Sequence, residues 1–132
     1  MPPAAPLLVY TYKNCDACRK ATKWLAAQGL AFQERPIRDT PPTVTELRTL
    51  LTHLGGERRR LCNTSGADYR AEKLGEIVDA LPEADFLARL AANGNLVKRP
   101  FLLRAATPAP AAAPALGLVG FKEAEWANAL GS

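Results

Sequence analysis

Six consecutive apolar, β-branched or aromatic residues, Leu7-Leu8-Val9-Tyr10-Thr11-Tyr12, are followed almost at once by an amphipathic stretch that ends at Gly29. The run reads as a buried first strand. Behind it, apolar or small residues at 17, 21, 24, 25 and close to 28 are spaced as one face of a helix over about 16–28. Asn14 and Asp16 offer capping oxygens at its start, and Gly29 is a natural stop. Leu30-Ala31-Phe32-Gln33-Glu34-Arg35-Pro36-Ile37 then reads as a second strand, with Pro36 marking an exposed edge or the strand's end. A strand–helix–strand unit of this size closes as a parallel pair with a right-handed crossover.

The middle of the chain is helical. Pro41 and Pro42 break it, and Thr43 with Glu46 three residues on forms a capping box ahead of Leu47, Leu50, Leu51 and Leu54. Gly55-Gly56 end that helix. Asn63-Thr64-Ser65-Gly66 is a turn, a further helix is expected over about 68–81, and another starts at Pro82 and closes at Asn93-Gly94-Asn95. Strand character returns in Phe101-Leu102-Leu103 and Leu116-Gly117-Leu118-Val119. The alanine–proline tract between them, 105–115, is expected to be a long solvent-exposed hairpin loop. A last helix, 122–130, packs through Phe121, Trp126 and Leu130. The order β-α-β, helices, β-β-α is the thioredoxin plan with a helical insertion at about 41–95. At 132 residues the chain is expected to form one domain, 1–132.

Composition narrows the class. With 48% hydrophobic and 23% charged residues the chain is globular rather than disordered. Its 17 Lys and Arg against 13 Asp and Glu give +4. That balance suits thiolates, phosphates, carboxylates or an acidic partner, and is too weak to argue direct nucleic-acid binding. No apolar run approaches the roughly 20 residues that span a bilayer, so no membrane partner is expected. Met1-Pro2-Pro3-Ala4-Ala5-Pro6 lacks the basic start of a secretory signal. Three cysteines, two of them only three positions apart, suit a reducing, cytoplasmic setting.

Those two, in Lys13-Asn14-Cys15-Asp16-Ala17-Cys18-Arg19-Lys20, stand where the first strand meets the first helix. A C-x-x-C pair there is a redox position. Cys15 lies at the helix N-terminus, where unpaired N–H groups and the helix dipole favour a thiolate. Such cysteines drop from a free pKa of about 8.5 to roughly 3.5–7.5. Cys18 falls on the same face within reach of Cys15. Cys15 is expected to be the exposed nucleophile and Cys18 the thiol that resolves the mixed disulfide. Lys13, Arg19 and Lys20 add positive charge, partly offset by Asp16. The competing use of the pair is half of a zinc site completed by Cys62 and His53, but no second C-x-x-C or H-x-H exists and no metal is expected. Cys62 beside Leu61 reads as a small buried hydrophobe, and His53 as a surface residue.

The segment Tyr10-Thr11-Tyr12-Lys13-Asn14-Cys15-Asp16-Ala17-Cys18-Arg19-Lys20-Ala21 resembles the active-site segment of the arsenate reductase-like ArsC/Spx/MgsR family. Asn63-Thr64-Ser65-Gly66 with Tyr69-Arg70, Leu96-Val97-Lys98-Arg99-Pro100 and Val119-Gly120-Phe121-Lys122-Glu123 match in order, closest to the YffB-like and Spx/MgsR-like branches. The resemblance implies a thioredoxin-like (glutaredoxin-like) α/β fold with a helical insertion. It implies a cis bond before Pro100 and an anion-binding Arg99 facing Cys15, joined in the site by Lys13, Asn14 and Arg19. The arsenate reductase branch holds its oxyanion with several arginines. Here the first of them falls at Asn63 and the last in the alanine–proline tract.

The activity expected first is therefore thiol–disulfide exchange, with no bound cofactor and with glutathione as co-substrate. Its partner would be glutathione or a protein disulfide. Arsenate reduction of the glutaredoxin type stands second. A redox-sensing transcription regulator that binds RNA polymerase, as Spx-like members do, stands third.

Overall fold

The computed structural model describes residues 7–106 and 115–130. The segment Met1 to Pro6 and residues 107–114, most of the 105–115 tract expected as a hairpin loop, lie outside the described residues. The elements are β1 (Leu7–Thr11), α1 (Asp16–Ala27), β2 (Phe32–Pro36), α2 (Val44–His53), α3 (Arg58–Leu61), α4 (Ala67–Ala71), α5 (Leu74–Ile77), α6 (Glu83–Ala92), a 3-10 turn (Gly94–Leu96), β3 (Phe101–Arg104), β4 (Leu116–Val119) and α7 (Glu123–Leu130). The sheet order is β2-β1-β3-β4. β1 and β2 run parallel, as the strand–helix–strand unit requires, whereas β1–β3 and β3–β4 are antiparallel. Pro36 sits opposite Thr11 at the end of the edge strand, where its missing N–H costs no ladder bond. This is the mixed α/β arrangement expected from the sequence.

The pleat of β1 sends alternate side chains to opposite faces. Tyr10 meets Phe101 edge-on at 5.6 Å and joins the larger core, built with Leu47, Leu50, Leu61, Leu74, Phe86, Leu87 and Leu90 of the helices between β2 and β3. Leu7 and Val9 go the other way, to Ala21 and Leu25 of α1, Leu102, Leu118 and Trp126 of α7. The Trp126 indole N–H donates to the Gly120 carbonyl at 2.9 Å, so its polar edge is satisfied inside that core. α2 is anchored by the expected capping box. The Glu46 amide donates to Thr43 Oγ1 at 3.1 Å, and the Thr43 amide to Glu46 Oε1 at 2.9 Å.

Two expectations are corrected. The helix predicted over 68–81 is two short helices, α4 and α5, separated by Lys73 in the left-handed region at φ 52°. Arginines of α3 take the carbonyls that the interrupted helix leaves open. Arg58 donates to the Val78 and Leu81 carbonyls at 2.9 and 2.7 Å, and Arg59 to the Gly75 carbonyl at 2.9 Å. α3 itself, Arg-Arg-Arg-Leu, is too short and polar to show a helical period. The second correction concerns the start of α1, where neither Asn14 nor Asp16 is the cap. Cys15 is.

Candidate active site

β1 ends at Thr11, and three residues of turn carry the chain to Cys15, the N-cap of α1. The turn is closed by the Cys15 amide donating to the Tyr12 carbonyl at 3.1 Å. Cys15 is extended (φ −111°, ψ 111°), which frees its side chain to reach over the first helical turn. Its sulfur accepts the Cys18 amide at 3.2 Å. A sulfur thus takes the capping part that an Asn or Asp oxygen plays elsewhere, and one of the unpaired N–H groups of the helix end points at it. Cys15 is half-buried, and Cys18 is 2% exposed. Burial, then the hydrogen bond its thiol gives to Cys15, push the Cys18 thiol up to about 12, against the pull of the Tyr12 backbone and the Arg99 charge. Cys18 is accordingly a protonated thiol at neutral pH, and the open sulfur is that of Cys15.

Arg99 stands before a cis Arg99–Pro100 bond. Its guanidinium lies over the Tyr12 ring at 4.7 Å. Its Nη1 is buried with no hydrogen-bond partner among the described residues. Arg38 also lies against this ring, 5.1 Å from its centroid, and donates to the Tyr12 hydroxyl at 2.8 Å. Asn14 donates to the same hydroxyl at 3.4 Å. These two hydrogen bonds, Asn14 first, hold the Tyr12 phenol below its ordinary value. Asn63, Asp68 and Asn95 line a small groove of about 260 Å³ beside Tyr12, Arg38 and Arg99.

The structure thus gathers Cys15, Cys18, Asn14 and Arg99 around Tyr12, and Pro100, next to Arg99, is buried. Arg19 is turned elsewhere: one terminal nitrogen donates to the Lys13 carbonyl at 2.7 Å and the other is paired with Asp16. Lys13 enters the described contacts of the turn through that carbonyl, and its side chain is exposed. Cys62 is buried, and burial pushes its thiol up to about 12. His53 is exposed at the end of α2. Among the described residues no three His, Cys, Asp or Glu side chains come together as a metal site. Nor is any described helix long and apolar enough to cross a membrane. No local pattern in the sequence links Tyr12 with Arg38. The hydroxyl and guanidinium that meet there come from residues 26 positions apart.

A cysteine capping the first helix of a four-stranded mixed sheet, one turn ahead of a buried second cysteine, defines a thiol protein of thioredoxin-like build. The model of the ArsC family matches residues 10–129, and the chain belongs to that family. The Bacillus subtilis protein YusI is 39% identical over 94 residues, 71% of this chain and 80% of its own length. The global transcriptional regulator Spx of Enterococcus faecalis is 31% identical over 97 residues, 74% of this chain and 72% of that protein. The crystal structure of an ArsC family related protein from Bacteroides fragilis superposes with a TM-score of 0.81 at 35% identity, over 96% of this chain and 98% of that one. The family and these relatives support a thiol-based redox function.

Proposed function

We propose that this chain is a thiol–disulfide oxidoreductase of the reducing cytoplasm that works on glutathione mixed disulfides. The observation that carries the proposal is the Cys15 sulfur accepting the Cys18 amide at the head of α1, with Cys18 buried directly beneath. The Cys15 thiolate attacks the glutathione sulfur of a mixed disulfide R–S–S–G. A Cys15–glutathione disulfide forms and R–S⁻ leaves, taking a proton from solvent. Cys18 gives up its proton and attacks the Cys15 sulfur, forming the Cys15–Cys18 disulfide and releasing glutathione thiolate. Two further glutathione thiols restore the dithiol and leave as glutathione disulfide, so two electrons pass from glutathione to the substrate.

Arsenate reduction has less support. Arg99 and the start of α1 are donors at hand, while Asn63 gives its amide to the Asn95 carbonyl at 3.3 Å. Each charge-assisted hydrogen bond adds about 1.5–3 kcal/mol, so two missing arginines cost several factors of ten in affinity or rate. Steady-state turnover on arsenate and on a glutathione mixed disulfide, for wild type and Cys15→Ser, separates the two. We expect turnover of the mixed disulfide, lost in Cys15→Ser, and poor turnover of arsenate. Efficient arsenate reduction by the wild type reverses the order.

Similarity to Spx favours a second reading, a redox-sensing regulator that binds RNA polymerase and uses the cysteine pair as its switch. Retention of RNA polymerase on the immobilised protein, changed on oxidation, together with no turnover of mixed disulfides, would establish it in place of the enzyme.

A further inference from the structure

A cleft of about 410 Å³ opens on the α1 side of Arg99, bounded by Ala17, by α3, by the segment before β3 and by the start of α7. Its charged lining is Arg59, Arg60, Lys98, Arg99 and Lys122 against one carboxylate, Glu125. Removing those six from the chain's 17 basic and 13 acidic residues leaves twelve of each. The net charge of +4 is therefore concentrated in this one cleft, which has the C-x-x-C helix as part of its wall. Arg59 and Arg60 are partly engaged, with Asp79 at 3.4 Å and Glu57 at 3.8 Å. Lys98 and Lys122 are exposed and make no ion pair among the described residues. Arg99, which lines the cleft, has a buried Nη1 with no hydrogen-bond partner among the described residues. Leaving such a donor unmade is costly, and an anion is the partner that satisfies it best.

We infer that this cleft is the recognition site for the non-reacting part of a peptide thiol that carries two carboxylates and one ammonium, the charge pattern of glutathione. The inference rests on the oxidoreductase function proposed above. Lys98 and Lys122 with Arg99 take the carboxylates, and Glu125 takes the ammonium. With the peptide held there, its sulfur is presented to the head of α1, so Cys15 attacks that sulfur and the other half of the disulfide leaves. The cleft therefore sets both which disulfides react quickly and which of their two sulfurs is attacked.

Single-turnover kinetics test this. The reduced protein is mixed with the 2-pyridyl disulfide of glutathione, or with that of mercaptoethanol, which has no charge on the non-reacting part. In each, the Cys15 thiolate displaces thiopyridone, whose absorbance gives the rate, and the Cys15 mixed disulfide that forms is then resolved by Cys18, which releases the thiol without changing that absorbance. Electrostatic attraction in a predominantly basic cleft raises association by about tenfold or more at low salt. We expect the glutathione reagent to react about tenfold faster than the mercaptoethanol one. That ratio should fall towards one in Lys98→Ser/Lys122→Ser, and in the wild type as salt is raised. Equal rates, or a preference that neither salt nor the double variant reduces, would overturn the cleft as recognition site and leave the oxidoreductase function standing. No reaction of Cys15 with either reagent overturns both.

Discussion

At neutral pH the three cysteines are not equivalent. Cys18 and Cys62 are each 2% exposed, and burial pushes both thiols up to about 12 from an ordinary 9.0. Only Cys15 combines exposure with an N–H aimed at its sulfur. Brief alkylation of the reduced, folded protein near pH 7.5 should label one thiol. The label should disappear in Cys15→Ser and persist in Cys18→Ser by intact mass. Faster labelling of Cys18 would exchange the two roles. The same burial carries a pH dependence. Unfolded cysteines ionise near 9, while the folded protein keeps these two protonated up to about 12. Between those values the folded state binds more protons, so stability is fully present below about pH 9 and falls as pH rises. Tyr10, raised by burial and by its hydrogen bond to Glu46, adds to the fall. Urea midpoints should be lower at pH 10 than at pH 8, with a smaller difference in Cys62→Ala. A midpoint that rises over that range would contradict the assignment.

At the scale of elements, Glu46 joins a helix cap to the sheet. Its Oε1 accepts both the Thr43 amide at 2.9 Å and the Tyr10 hydroxyl at 2.7 Å. Thr43→Ala removes one side of the cap and should cost about 1 kcal/mol. Glu46→Ala should cost more, because a half-buried tyrosine hydroxyl also loses its acceptor, a further ~1–3 kcal/mol. Denaturant unfolding of both variants checks the order, and a smaller loss for Glu46→Ala would separate the cap from the sheet. Further along, the 3-10 turn crosses the end of β2 so closely that a Cβ on Gly94 would run into the Ile37 carbonyl. Asn93 and Asn95 tie this turn to Asp68 of α4 at 3.1 and 3.0 Å. These two contacts, Asn93 first, hold the Asp68 carboxyl below its ordinary value. The turn leads directly into Lys98, Arg99 and Pro100, so its placement sets where Arg99 enters the site.

For the whole molecule, the sheet separates two cores, and the smaller one carries the helix that bears the cysteines. Trp126 is fully buried there against Phe121, with ring centroids 5.1 Å apart. Trp126→Ala should cost about 3–5 kcal/mol. Because α1 shares that core through Ala21 and Leu25, the variant should also blunt the difference in labelling between Cys15 and Cys18. Thermal unfolding and alkylation of the same sample measure both. A loss below 1 kcal/mol would mean that α7 only covers the sheet and does not brace α1.

The strand–helix–strand opening, the capping box at Thr43 and the return to strand at 101 and 116 were legible because each depends on local periodicity and cap chemistry. The C-x-x-C was legible for the same reason: its spacing alone puts two sulfurs one turn apart at a helix start. What the chain does not state locally is where distant side chains meet. The break at Lys73 depends on α3 arginines more than ten residues away offering donors to the freed carbonyls. The sulfur of Cys15, rather than a neighbouring oxygen, became the cap because the backbone turn at Tyr12 aims it over the helix end. The contacts of Tyr12 with Arg38 and Arg99 bring together three segments, and the basic cleft gathers charges from α3, from the residues before β3 and from the start of α7. Local rules set the elements and their order. Burial and long-range contact decided which thiol stays protonated and where the positive charge collects.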